Sequence, residues 1–466
     1  MDNNRGMFSP RIWCWRAVAA LSVLGLIPWT LYATTPGTNR HVILITIDGL
    51  SASYLSDPKA PIPTLKKLAE EGASAEAMRV SNPSVTWPNH TTLVTGVHPD
   101  KHSVFFNGAL IRRGDGAPVY LASNRDKKDL VATSTVYDLL HEAGYRTAAI
   151  NWPCTRRAAA LDDNFPDVPD PVDYISPRLR VELIHNRILE NSSNAALRSK
   201  SPATADKIWT STAVHLIKTR PPNLLLLHLL NTDAVQHTRG PNLPEAYAAI
   251  GLADSNVAEV LSAVGAAGLR NQTTVIVASD HGFAQTKKLI SPNVLFRKAG
   301  LQRGSPKHRA HVISEGGTAF VFLTQTSTRT EDRIKALNLL REHEGIERIV
   351  QPDDYPALHL PHPDKNPQMS DLILVAKDGY AFSDDSFEDE SITEVTFSAG
   401  SHGYLADNPL MNGVFIVSGC GIKPKVKLGL IENIDVSPTI AEIFGERFSS
   451  MDGKVLWEIF SNRMRP

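Results

Sequence analysis

Cysteine is almost absent, with three in 466 residues. Cys14 precedes an apolar N-terminal stretch, and only Cys154 and Cys420 lie beyond it. A disulfide framework is therefore not indicated, and the separation of the last two gives no support for a bond between them. Internal repeats, heptads and low-complexity tracts are also missing, so nothing points to a repeat array or a coiled coil. No extended basic run is present and the formal charge is −1, so a nucleic-acid-binding surface is not indicated. A membrane-inserting run occurs once, from Ala17 to Ala33. What is present suits a large globular protein. Hydrophobic residues make up 42% and charged residues 21%, enough for a sizeable core and for two or three domains or one long α/β domain.

The chemistry-bearing residues sit at the ends of apolar runs. His41 to Ile47 is β-branched and nearly continuous, reads as a buried strand of a parallel sheet, and ends at Asp48-Gly49. Leu224 to Leu230 leads into Asn231-Thr232-Asp233-Ala234-Val235-Gln236-His237, where the i, i+4 spacing puts Asp233 and His237 on one face of a helical turn. Thr273 to Ala278 ends in Ser279-Asp280-His281-Gly282, and His402 sits in the Gly-flanked loop Gly400-Ser401-His402-Gly403-Tyr404. Open α/β sheets place their sites at the C-terminal ends of parallel strands, and three Asp with three His suit two zinc ions. Thr86, in Pro83-Ser84-Val85-Thr86-Trp87-Pro88-Asn89-His90, is placed at a strand-to-helix turn. Its hydroxyl is a nucleophile only if a base or a metal ion lowers its pKa.

Each of these residues has a plainer reading. Thr86 alone could be a helix N-cap, Asp48-Gly49 a turn, and Asp233 with His237 an exposed helical pair. Asp280-His281 after a buried strand is harder to explain without partners.

Together, Asp48, the Thr86-Trp87-Pro88-Asn89-His90 segment, Asn107, Asp233-x-x-x-His237, Asp280-His281 and His402 resemble the alkaline phosphatase superfamily. Within it they are most similar to the nucleotide pyrophosphatase/phosphodiesterase branch, with Trp87 where that branch has Phe. The resemblance implies one zinc held by Asp233, His237 and His402, and a second held by Asp48, Asp280, His281 and the Thr86 oxygen. It implies that Asn107 and the Thr86 backbone amide bind the phosphoryl oxygen away from the metals. The reaction it implies is two in-line displacements through a phospho-threonine. His90 is expected to brace the turn, and His98 and His102 are expected to be structural.

Substrate-binding candidates are Asn107, Trp87, Phe106 and Arg156. The aromatic pair would stack a base or headgroup. Asn151-Trp152-Pro153-Cys154-Thr155-Arg156-Arg157 resembles the Trp-Pro-Gly-Ser stretch of the phosphodiesterases but adds two arginines. An arginine on the phosphoryl oxygens would favour a phosphate monoester; the alternative is a surface pair with Asp162 and Asp163. The expected activity is therefore an exported zinc phosphodiesterase or nucleotide pyrophosphatase acting on a small phosphate ester or nucleotide. A phosphate monoesterase is the alternative, and a non-catalytic exported binding protein a lesser one. A sulfatase lacks its Cys-x-Pro-x-Arg motif at Cys154-Thr155-Arg156, and a phosphoethanolamine transferase would have more membrane segments.

The expected architecture is a doubly wound, mostly parallel sheet sandwiched by helices, alkaline phosphatase-like, over 41–300 and 395–466. Residues 301–394 form an inserted α+β subdomain. Residues 1–40, with Arg5, Arg11 and Arg16 before the apolar stretch, are a signal peptide or membrane anchor for a periplasmic or extracellular protein. Helices are expected from Ile62 to Glu71 with Gly72 as C-cap, over Val136 to Glu142, and from Glu331 to Glu342.

Overall fold

A computed structural model describes residues 39–190, 193–302 and 308–461. The export segment expected over 1–40 lies almost wholly outside them. No helix among the described residues is long and apolar enough to cross a membrane.

An eight-stranded sheet runs in the spatial order Val426–Glu432, Ala73–Arg79, Phe415–Gly419, Thr273–Ala278, His41–Ile47, Leu224–Leu229, Thr147–Pro153 and Asp163–Asp167. Only Phe415–Gly419 is antiparallel to its neighbours. The expected doubly wound, mostly parallel sheet is what is found. The reason is visible in His41–Ile47, buried along its whole length. Ile43, Ile45 and Ile47 face one core with Leu225 and Leu227, whereas Val42 and Leu44 face the other with Leu224 and Leu226. Period-two alternation with both faces apolar gives a continuous hydrophobic run. The first core is covered by helices Pro63–Glu71, Pro202–Thr219 and Pro244–Ala266, and the second by Thr86–Thr95, Val136–Glu142 and Val436–Phe444.

Two smaller sheets complete the fold. Ala310–Ser314, Thr318–Leu323, Leu372–Ala376 and Ile346–Val350 form an antiparallel four-stranded sheet within 301–394. Helix Arg329–Leu340 packs on it, two residues earlier than expected. Tyr380–Phe382, Ala284–Ile290 and Ile392–Ser401 form a three-stranded sheet that joins this segment to the flanking chain.

Gly72 follows helix Pro63–Glu71 as expected, but not as a left-handed cap: its φ is −138° and ψ −134°. Its small size matters instead, because a Cβ there would lie 2.0 Å from the Val417 carbonyl oxygen of the adjacent strand.

The register of the three central strands sets the site. Thr46 pairs with His228 on one side and Ala278 on the other, so Asp48, Asp280 and the helix Asn231–Arg239 leave the sheet at the same level. The start of that helix is fixed by Asp206 of Pro202–Thr219, which accepts hydrogen bonds from the Leu230 and Asn231 N–H groups at 2.8 and 3.1 Å. Without it two first-turn donors would be buried and unpartnered. Asp206→Ala is expected to lower unfolding free energy by roughly 1 to 3 kcal/mol in urea titrations. A change under about 0.3 kcal/mol would mean that other groups satisfy those donors.

Candidate active site and metal centre

Thr86 is the first residue of helix Thr86–Thr95, and the residues after it hold the turn. The Asn89 side chain accepts from the Ser81 N–H at 2.8 Å and donates to the Pro83 and Val85 carbonyls, each at 2.9 Å. His90 Nδ1 donates to the Thr86 carbonyl at 2.9 Å, and Thr46 Oγ1 lies 2.8 Å from its Nε2. A carbonyl can only accept, so Nε2 is the acceptor for Thr46. His90 therefore braces the turn from its buried side, as expected. His102 is also structural, bonding Thr92 Oγ1 and the Val104 N–H. His98 stacks on His359 with ring centroids 3.9 Å apart.

The six expected metal ligands converge beside Thr86. His281 Nε2 lies 3.5 Å from Thr86 Oγ1, 3.2 Å from Asp48 Oδ1 and 3.3 Å from Asp280 Oδ2. Asp233 Oδ1 lies 3.3 Å from His237 Nε2 and 3.6 Å from His402 Nε2. Ligand atoms of Asp233, His237 and His402 all fall within 4.8 Å of one another, as do those of Asp48, Asp233 and His281.

The residues fit two cations on a stereochemical test. Each of the three histidines turns Nδ1 to a backbone carbonyl: His281 to Gly282 at 3.1 Å, His402 to Ser84 at 2.9 Å and His237 to Gly400 at 3.3 Å. In the neutral ring this leaves the Nε2 lone pair pointing inward. Facing those lone pairs, Asp48 Oδ1, Asp233 Oδ1 and Asp280 Oδ2 are buried and lack a hydrogen-bond partner. Lone pairs opposed to carboxylate oxygens repel unless a cation lies between them.

Without a cation, protons relieve part of this repulsion. Burial, then the Asp233 charge, holds the Asp48 carboxyl well above the usual range. Burial, then Asp48, does the same to Asp280. Asp233 is held low despite burial, because His237 and His402 face it. Burial lowers His281 and brings His402 to about 4, whereas for His237 burial is outweighed only by the Asp233 charge, its hydrogen bond and the Gly400 carbonyl together, which raise it. The two groups also differ in access. The side chains of Asp48, Asp280 and His281 are fully buried, whereas that of His237 is 41% exposed.

Asn107 Oδ1 accepts the Trp87 N–H at 2.9 Å, which places its amide group at the head of helix Thr86–Thr95. The other three substrate candidates are engaged elsewhere. Trp87 is 5% exposed, packs in a core with Val104 and Cys154, and donates its indole N–H to Asp167 at 2.9 Å. Phe106 is buried, edge-on to Phe320 of the four-stranded sheet. Neither is a stacking platform. The Arg156 guanidinium lies over the Tyr174 ring at 4.3 Å and pairs with Asp126 at 2.7 Å, while Arg157 also meets Asp126. Asp162 and Asp163 are not their partners: Asp163 is bound by Arg220. Cys154 and Cys420 are free thiols, and burial pushes Cys154 up to about 12.

Sequence reasoning passed over His228. It is 1% exposed, and its Nε2 lies 3.0 Å from Asp48 Oδ2. The one signal was a lone imidazole inside the run Leu224–Leu229.

The model of the family described as type I phosphodiesterase / nucleotide pyrophosphatase matches residues 42–405. Rat ectonucleotide pyrophosphatase/phosphodiesterase family member 3 is 22% identical over 443 residues, covering 90% of this chain and 44% of its own length. The bis(5'-adenosyl)-triphosphatase of Xenopus laevis is 23% identical over 415 residues, covering 88% of this chain and 79% of its own. The chain thus spans less than half of the rat relative. The structure of murine ectonucleotide pyrophosphatase/phosphodiesterase 5 matches with a TM-score of 0.68 at 18% identity, covering 91% of this chain and 100% of that one. An inactive variant of it in complex with AMP matches equally well. At that identity the likeness establishes the fold.

A pH dependence follows from the raised carboxyls. Asp48 and Asp280 titrate near 4 in the unfolded chain. The metal-free fold therefore binds protons more tightly than the unfolded chain, and its stability falls as pH rises above that value. If Asp48, Asp280 and His237 are ligands, cation binding needs both carboxyls ionised and His237 neutral, so it strengthens over the same range. The rise in Tm on adding zinc is expected to be larger near about pH 8 than near about pH 5.5. Equal or reversed gains in calorimetry would contradict the assignment.

Proposed function

The chain belongs to the type I phosphodiesterase / nucleotide pyrophosphatase family, and from that premise we propose that it cleaves phosphate diesters and nucleotide pyrophosphate bonds through a phospho-threonine at Thr86. The observation that carries the reading is the position of Thr86 Oγ1, 3.5 Å from His281 Nε2 where the Asp48 and Asp280 oxygens also meet. We assign one zinc to Asp233, His237 and His402, and the other to Asp48, Asp280, His281 and Thr86. The two ions would supply the charge that makes Thr86 an alkoxide, acidifies a water and neutralises the phosphoryl oxygens.

Thr86 Oγ attacks phosphorus in line, forming the O–P bond as the leaving oxygen departs on the far side. Water then attacks the same phosphorus and returns Thr86. In both displacements the equatorial oxygen needs fixed donors. The Asn107 amide N–H2 and the Thr86 backbone N–H provide them, and the helix N-terminus favours the anion. Asn107 is preorganised for this by its bond to the Trp87 N–H.

A diester is favoured over a monoester because the arginine that would meet an additional phosphate charge is tied to Asp126 and Tyr174. A nucleotide substrate is supported by the AMP complex of the murine relative and the triphosphatase name of the frog one. Export through residues 1–40 is supported by the ectonucleotidase names of the relatives.

With the zinc-loaded protein, kcat/KM for bis-p-nitrophenyl phosphate and thymidine 5'-monophosphate p-nitrophenyl ester is expected to exceed that for p-nitrophenyl phosphate by about a hundredfold or more. A preference for the monoester would overturn the diester reading. Thr86→Ala is expected to keep the fold and lower turnover by orders of magnitude, and near-normal activity would sink the nucleophile assignment. Asn107→Ala should raise the barrier by roughly 2 to 4 kcal/mol, read as kcat/KM. Arg156→Ala should affect monoesters and diesters alike; a selective loss on monoesters would put that arginine in the site.

A further inference from the structure

His228 lies between a metal-ligand carboxylate and a strand end. Its Nε2 meets Asp48 Oδ2 at 3.0 Å, and its Nδ1 lies 3.0 Å from the Asn151 carbonyl oxygen; with Asp48 ionised as a ligand both oxygens only accept, so both ring nitrogens donate. Asn151 adopts a left-handed conformation, φ 53°, which asparagine tolerates better than most residues. Its side-chain amide also donates to the His228 carbonyl at 3.3 Å, so the carbonyl facing the ring is held from both strands. The His228 ring packs against His90, with centroids 4.3 Å apart. No other function claims this imidazole, and a hydrophobic residue would fill the same space in the run Leu224–Leu229 at lower desolvation cost.

The geometry points to His228 as a positioning residue for the buried cation site, one that holds Asp48 Oδ2 and thereby presents Oδ1 alone to the ion. Asp48 Oδ1 already faces His281 Nε2 at 3.2 Å and has no hydrogen-bond partner, whereas Oδ2 is occupied by His228. A carboxylate pinned at one oxygen cannot turn to chelate with both, so ligation is single-oxygen and its direction fixed. Because the His90 ring touching His228 also bonds the Thr86 carbonyl, the same contact keeps the ligand and the nucleophile helix in step. This inference rests on the assignment of Asp48 as a ligand.

Zinc affinity at each of the two sites, measured by competition with a chromophoric chelator, tests it without turnover. His228→Leu is expected to weaken one site by about 10- to 100-fold and leave the other at the wild-type value. His228→Gln, whose amide can reach Oδ2, should restore most of that loss, and His228→Asn, too short to reach it, should behave like leucine. The melting temperature of each metal-free variant separates packing from positioning. Wild-type affinity in His228→Asn and His228→Leu overturns the inference, as does a glutamine variant no better than the asparagine one. Should His228→Leu fail to fold, the Gln and Asn pair decides alone. Asp48→Asn separates the two levels. If it leaves both sites intact, the assignment of Asp48 and the inference fall together; if it weakens one site while the His228 variants do not, only the inference falls.

Discussion

Three carboxyl groups, Asp48, Asp233 and Asp280, are buried together with oxygens that no donor satisfies, and the rest of the architecture is arranged around that constraint. Burial and neighbouring carboxyl charge raise Asp48 and Asp280 well above the usual carboxylate range, so the metal-free fold holds protons there that isolated carboxylates would release. Asp48 and Asp280 sit just beyond the ends of central strands, and Asp233 lies in the first turn of the helix that follows a third, where in-register pairing of His41–Ile47 with both neighbours fixes the backbone. Bound cations would take the place of those protons and be held by the same oxygens. Nδ1 of His237 and His402 is tied to a carbonyl from a remote segment and that of His281 to its neighbour Gly282, so the three rings are oriented without any ion.

That orientation also links the nucleophile to the metal loop. Ser84, two residues before Thr86, accepts at its carbonyl from His402 Nδ1 and from the Gly403 N–H at 3.0 Å, and its hydroxyl donates to the Tyr404 carbonyl at 2.6 Å. The segment around residues 301–394 backs the same loop. The Gly317 N–H donates to the His402 carbonyl at 2.7 Å, and Thr318 Oγ1 donates to the Gly403 carbonyl at 2.8 Å. Gly403 itself has φ +77°, and a Cβ there would lie 1.6 Å from the Glu315 carbonyl oxygen, so only glycine allows this approach. Phe106 packs on Phe320 of the same sheet, bracing the segment that carries Asn107. The four-stranded sheet thus supports the His402 loop and the Asn107 segment at once, which gives a physical reason for its presence beside the candidate site.

How much of this could be read beforehand depended on where the information lies along the chain. Asp48, Asp233, Asp280 and His281 stood out because each follows an apolar run that reads as a buried strand; a turn or an exposed helical pair could account for the first two, and it was their joint occurrence with Asp280-His281 that pointed to a site. Helix Asn231–Arg239 was legible from the i, i+4 spacing of two ligands. His228 was not, because a histidine within five leucines reads as a core residue until the partner 180 positions away is known. Trp87, Phe106 and Arg156 were misplaced for the same reason. Their partners Asp167, Phe320 and Asp126 are remote in sequence, and nothing local separates a stacked platform from a packed core ring. Gly72 was read as a helix cap although its constraint comes from a strand more than 300 residues later.

The unequal burial of the two ligand groups gives the proposed reaction a direction. Thr86, Asp48, Asp280 and His281 form a closed wall, while the Asp233 group opens through His237. An in-line displacement places attacking and leaving oxygens on opposite sides of phosphorus. With Thr86 on the closed side, the leaving group must depart toward His237, and the water of the second step must enter by the same path. The closed side needs no solvent and gains from excluding it, because a Thr86 alkoxide exposed to water would be protonated at neutral pH. The open side cannot be closed in the same way without trapping the product. Asymmetric burial is therefore what a double displacement with a fixed nucleophile and a mobile one requires, and it follows from a helix carrying Asp233 and His237 at the rim and strand ends carrying Asp48 and Asp280 within.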